Sequence, residues 1–303
     1  KKEHPDDVII MGDVFMHRKP SPSALLGFQK ILKGMKGSDV VVIRGNHDSE
    51  TKADDGVTAL SLYESPEVKV ITHTYQDLDK KRTYIPHYEN ENTIISALEV
   101  VPEDHQVFGH FGYAGCLNSV GDADFSITLS HFNTFTMLGH IHGFRERSGG
   151  LREPYSRVVC LGTPYTTNYG EAFKDNFYAV IDTNGGFREV KFKQPTSGPR
   201  HLVYSDKEIE NNLEVINDPN YFTFLRIMVG ADHYPIPLDK INVEYVDVKY
   251  TPVFSEEEVS TYTPDKDLFT VNDMIINDYV NSANSTLPSE VLMEGYRLLK
   301  DEN

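Results

Sequence analysis

Residues 39–48 read DVVVIRGNHD, and this stretch decides the fold. Val40 to Ile43 is a short β-branched apolar run, too brief for a buried helix, so it reads as a parallel strand covered on both faces. It empties directly into Gly45-Asn46-His47-Asp48, a glycine followed by three side chains that bind metals or move protons. Upstream, Asp7 to Asp13 (DVIIMGD) repeats the pattern and ends in Gly12-Asp13. Between the two, Ser21-Pro22 supplies an N-cap residue and a first-turn proline, Leu25, Phe28, Leu32 and Met35 recur at helical spacing, and Gly34 and Gly37 close the element. The first fifty residues are therefore a β-α-β unit with a polar motif at the end of each strand.

Two further motifs follow apolar runs in the same way: Gly109-His110 after Gln106 to Phe108, and Gly139-His140-Ile141-His142 after Phe135 to Leu138. Ligands in an open α/β sheet gather at the carboxyl ends of its strands. Four such strand ends would bring Asp13, Asn46, His110, His140 and His142 to one crevice. Further strands are expected at Val68 to Thr72, Val158 to Leu161 and Phe177 to Asp182, giving two packed sheets flanked by helices. The stretch Gln194 to Pro199 (QPTSGP) reads as a linker, dividing a domain over 1–194 from one over 195–303. Beyond it, Tyr221 to Val229 and Val243 to Val253 look like strands, and Leu268 to Val280 and Ser289 to Lys300 like amphipathic helices.

Composition narrows the function. No apolar stretch approaches the roughly 20 residues a membrane span needs, and the first residues lack the apolar core of a signal peptide. A soluble, intracellular, cytoplasmic protein is expected. Two cysteines, Cys116 and Cys160, are too few for a disulfide framework and read as buried thiols. The net charge of −17 is uneven: residues 201–303 hold 20 acidic against 7 basic residues. Proteins that bind nucleic acid by bulk charge are basic. A nucleic-acid substrate here would need local basic loops, bound cations or a partner subunit.

The motif residues suit a pair of divalent cations. Asp13 has two oxygens with which to bridge them; Asn46, His110 and His140 offer one oxygen and two nitrogens to the first, and His142 faces the second. Mixed nitrogen and oxygen donors without thiolate fit manganese, iron or zinc better than calcium or magnesium. Paired cations roughly 3.5–4 Å apart generate hydroxide and neutralise a phosphoryl group in flight. His47 is set aside as the catalytic imidazole, protonated beside phosphate oxygens, with Asp48 orienting its ring. His17 and Arg18 either touch a phosphate or belong to a solvated loop. Arg145 and Arg147, with Arg152 and Arg157, either grip a nucleic-acid backbone or form an exposed basic loop. His4, His73, His87, His105, His131, His201 and His233 carry no motif and read as structural or exposed.

These residues resemble the calcineurin-like metallophosphoesterase superfamily, whose pattern is Asp-x-His, Gly-Asp, Gly-Asn-His-Asp, a single His and Gly-His-x-His. Residues 12–25, GDVFMHRKPSPSAL, and Leu161-Gly162-Thr163-Pro164-Tyr165 are similar to the DNA-repair branch of SbcD-type nucleases, and the second segment resembles the form found in T4-like phages. The resemblance implies a two-sheet α/β/β/α sandwich with a smaller α+β C-terminal capping domain. It also implies a manganese-dependent exo- and endonuclease acting on double-strand DNA ends and hairpins. Such a nuclease is a homodimer paired with an SbcC-type coiled-coil ABC ATPase, which the two C-terminal helices would dock, and it works in the cytoplasm, the host's if phage-encoded. Rival readings are a phosphomonoesterase or cyclic-nucleotide phosphodiesterase on the same scaffold, and a non-catalytic scaffold.

Two departures from the pattern stand out. The branch's histidine after Gly-Asp-Leu-Phe falls on Met16, with His17 one place later. The Asp-x-His motif is absent, and the expectation is that a strand and helix carrying it precede Lys1. Without it the second cation keeps only Asp13 and His142, so this polypeptide should bind it poorly.

Overall fold

The computed structural model describes residues 4–118, 121–122, 125–148, 157–172, 174–183, 190–230 and 234–250. Asp7–Ile10 (β1), Asp39–Ile43 (β2) and Val68–Ile71 (β3) form a three-stranded parallel sheet in that order. Pro22–Gly34 (α1) links β1 to β2; Ser21 caps it by accepting the Ala24 N–H, and Pro22 sits in its first turn, as the sequence predicts.

The second sheet is built from Tyr75–Asp77 (β4), Arg82–Ile85 (β5), Gln106–Gly109 (β6), Thr136–Leu138 (β9), Arg145–Ser148 (β10) and Arg157–Cys160 (β11). Leu117–Asn118 (β7) and Gly121–Asp122 (β8) form a separate two-residue pairing. The six strands lie in the order β10-β11-β9-β6-β5-β4. The inner four run parallel and both edges are antiparallel. Parallel neighbours need crossovers, and Glu91–Glu99 (α2), between β5 and β6, supplies one.

Period-two alternation explains the layering. Along β2, Val40 and Val42 point to one face, where they pack with Phe28, Leu25 and Leu32 of α1. Val41 and Ile43 point to the other and meet Tyr84, Phe108, Met137 and Val159 of the second sheet. That sheet's outer face, through Ile85, Val107, Leu138 and Val158, is covered by Ile94, Ala97 and Leu98 of α2. The result is an α/β/β/α sandwich. Burying both faces of both sheets leaves only the strand ends open for chemistry.

Tyr178–Ile181 (β12) and Val190–Lys193 (β13) form an antiparallel hairpin whose Ala179, Ile181, Val190 and Phe192 extend the inter-sheet core. The next element begins sooner than the sequence reading allows: Gly198–Ser205 (β14) already contains the last two residues of the expected linker. Gly and Pro at a strand's start cost few ladder bonds, which is how a linker-like composition becomes a strand. β14 pairs in parallel with Tyr221–Val229 (β15), and Tyr245–Tyr250 (β16) completes the sheet. With the single-turn helix Leu213–Ile216 (α3) this sheet has a core of its own, Ile209, Ile216, Leu225, Ile227 and Val229. Strands β4, β5, β7, β8, β10, β13 and β14 and helix α2 were not anticipated. The helices expected at 268–280 and 289–300 lie outside the described residues.

Candidate metal centre

Loops leaving β1, β2, β6 and β9 meet at one edge of the sandwich, and glycine lets them approach. A Cβ on Gly45 would land on the carboxylate and backbone nitrogen of Asp13. Gly12 has φ +87°, and a Cβ there would strike the His110 ring. The Gly-Asp and Gly-Asn pairs of the sequence are therefore contact points between neighbouring loops as well as turns. Asp13 and His140 both adopt left-handed backbone, φ 50° and 74°. Such conformations cost about 1–3 kcal/mol in a non-glycine residue and persist where the surroundings impose them.

Asp13, His110 and His140 each place a ligand atom within 4.8 Å of the others, the one such group among the described residues. His110 is buried, with Nε2 3.2 Å from Asp13 Oδ2 and 3.1 Å from Asn46 Oδ1. His140 Nδ1 is 3.0 Å from the same Asn46 oxygen. The His110 Nδ1 lies 2.6 Å from the Met11 carbonyl, which can only accept, so Nδ1 carries the hydrogen and Nε2 faces the carboxylate and amide oxygens. Acceptors converging on one point need a proton or a cation between them. One carboxylate, one amide oxygen and two imidazole nitrogens form a donor set for a borderline divalent ion.

With no metal between them, Asp13 and His110 share a proton. Burial pushes the Asp13 carboxyl up, but the charge and hydrogen bond of His110 and the His47 N–H outweigh it and hold it well below the usual range. Burial likewise opposes charge on His110, and Asp13 overrides it, raising that imidazole. Burial, then the His110 charge, pulls His140 down to about 3. A neutral His140 keeps its nitrogen lone pair for coordination.

His47 is exposed, and its backbone N–H donates to Asp13 Oδ1 at 2.9 Å. Asp48 is buried and accepts the N–H of Phe15 at 3.0 Å on one oxygen and that of Gly45 at 2.9 Å on the other. The carboxylate thus binds the first loop to the second, a role different from orienting the His47 ring. Arg18 is partly buried against the 49–51 loop, donating to the carbonyls of Ser49 and Thr51 and pairing with Glu89 at 3.2 Å. His17 is exposed. Arg145 and Arg147 lie on β10, the edge strand paired with β11.

His142 stands apart from the three-residue group. Its Nδ1 is 2.6 Å from Oε1 of Glu171, whose side chain is 2% exposed. Sequence reasoning missed two residues here. Glu171 is one. The other is His87, whose ring centre lies 5.8 Å from that of His140 and 6.3 Å from that of His110. Burial and the His110 charge pull His87 down to about 4. Its position is fixed by Arg44, a buried guanidinium that donates to the His87 carbonyl at 2.6 Å and to Ser49 Oγ at 2.7 Å. His87 follows β5, so reading Arg82–Ile85 as a strand would have flagged it as one more strand-end histidine.

The family model for calcineurin-like phosphoesterases matches residues 1–145, a stretch that contains Asp13, Asn46, His110, His140 and His142. That stretch is therefore similar to the metallophosphoesterase domain, a likeness that supports divalent-metal binding and phosphoester hydrolysis as its chemistry. No curated protein matches the chain. No helix among the described residues is long and apolar enough to cross a membrane.

Proposed function

We propose that the chain is a manganese-dependent DNA exo- and endonuclease of the SbcD type, the nuclease subunit of a double-strand-break repair or recombination complex. The observation that carries the reading is the meeting of Asp13, Asn46, His110 and His140 at the sandwich edge, inside the stretch that matches the metallophosphoesterase family. The nuclease branch rests on residues 12–25 and 161–165, whose sequence resembles that branch. Asp13, Asn46, His110 and His140 would hold one cation, and Asp13 with His142 would contribute to a second. The metal supplies hydroxide near neutral pH and neutralises charge on the phosphoryl oxygens. His47, exposed at the mouth and anchored by its N–H to Asp13, is placed to hydrogen-bond a phosphate oxygen and to protonate the departing alkoxide. The residues after 194 form an acidic capping domain, and a coiled-coil ATPase partner together with dimerisation supplies the DNA grip that this charge denies the chain.

The test sets hairpin and blunt-ended duplex DNA against a chromogenic diester and a monoester, each with manganese, zinc or magnesium. Manganese-dependent cleavage of the hairpin is the expected result. Turnover of the monoester with inert DNA would replace the nuclease by a phosphatase on the same centre.

A further inference from the structure

We infer that Glu171 is the positioning residue of His142: it holds the imidazole with its hydrogen on Nδ1 and so turns Nε2 outward as the metal-binding nitrogen. The inference rests on the proposed metal centre and extends it to a residue beyond the family match, which ends at 145.

A carboxylate at 2% exposure needs partners, and Glu171 has three. Its Oε2 accepts the Thr167 N–H at 2.8 Å and the Thr167 hydroxyl at 2.9 Å, leaving Oε1 to the His142 Nδ1 at 2.6 Å. With Oε2 already accepting two hydrogens from Thr167, Oε1 is left to accept from the ring, so the shared hydrogen belongs to Nδ1 and Nε2 is the nitrogen turned to a ligand. Carboxylate, imidazole and metal in series is the common way to fix a ligand histidine's tautomer and raise its basicity.

The supporting loop is itself fixed. Asn168 accepts the Gly170 N–H at 2.8 Å, and the Thr166 hydroxyl accepts the His201 N–H at 2.7 Å from β14. The carboxylate therefore sits on a braced turn 29 residues beyond the histidine it holds. His142 has a side-chain exposure of 35%, which leaves its ring open to solvent for a ligand.

The test uses the full chain labelled with nitrogen-15 at histidine, at pH 8. Long-range proton–nitrogen spectra report which ring nitrogen is protonated, and His142→Gln identifies the signal. The wild type should show His142 protonated at Nδ1, and Glu171→Gln, which keeps the volume and removes the acceptor, should lose that preference. Added zinc should move the Nε2 signal of the wild type and need about 10- to 100-fold more metal in the variant. Glu171→Asp, retaining the charge, should recover part of the effect, and unchanged signals from His110 and His140 control for folding. A wild type protonated at Nε2, or an identical zinc response in wild type and Glu171→Gln, overturns the inference. None of these readouts uses DNA, so inert DNA in the earlier assay would remove the nuclease reading and leave this one standing.

Discussion

His140 and His142 are two residues apart on one turn, yet they are held by opposite means. His140 is fixed through strained backbone and through Asn46, a neighbour that would bind the same ion. His142 is fixed by a carboxylate that has no part in the three-residue ligand group, so its geometry is set by the protein alone. One side of the centre is organised by mutual need and the other in advance. That difference governs how each side should respond to damage.

Removing the shared carboxylate has the largest expected effect. Asp13→Asn should abolish tight metal binding on the His140 side, a loss beyond the roughly 10- to 100-fold typical of outer partners. It should leave the His142 tautomer intact, and calorimetric metal titration with the nitrogen spectra reads both. If the His142 signal reorganises as well, the two sides are one cooperative unit and the contrast fails.

Gly45→Ala comes next. Its Cβ would overlap the Asp13 carboxylate, so one loop must retreat, at a cost of about 1–3 kcal/mol from overpacking and with weaker metal binding. Thermal unfolding with and without manganese checks this; an unchanged melting temperature together with unchanged affinity would mean that the loops are not in contact.

The histidine side also predicts a pH signature in the metal-free protein. His87 drops from 6.5 to about 4. Its contribution is fully present above pH 6.5 and is lost as pH falls from 6.5 toward 4, amounting to about 3 kcal/mol. His110 is raised, so its contribution is lost as pH rises above 6.5. His87→Leu should flatten the acidic limb of the stability curve and spare the alkaline one. Equal flattening of both would show that the two rings titrate as one system.

Arg18→Met should do least. Its pair with Glu89 is half solvated, so stability should change by under about 1 kcal/mol. A tenfold loss of hairpin cleavage with unchanged stability would assign Arg18 to the substrate, one of the two roles its sequence position left open.

What the sequence disclosed follows from where each signal resides. Strands with apolar runs, such as β2 and β6, announced themselves, and their terminal glycines marked the loops that touch. Strand β5 did not, because Arg82 and Thr83 interrupt the pattern even though they are buried through contacts with Asp7 and His105. Losing β5 meant losing His87. Glu171 was illegible for a different reason: its identity matters only through a residue distant in the chain, and Tyr-Gly-Glu-Ala has no local periodicity to betray it. Asp48 shows a third limit. Its motif was plain, but whether it served a ring or a backbone depended on geometry alone.

The orientation of His110 hangs on the main-chain carbonyl of residue 11, which survives any codon change at that position except through displacement of the chain. The orientation of His142 hangs on one glutamate, which a single nucleotide can delete. A substitution at position 171 therefore disturbs the His142 side directly, whereas the orientation of His110 changes only if the chain around residue 11 moves.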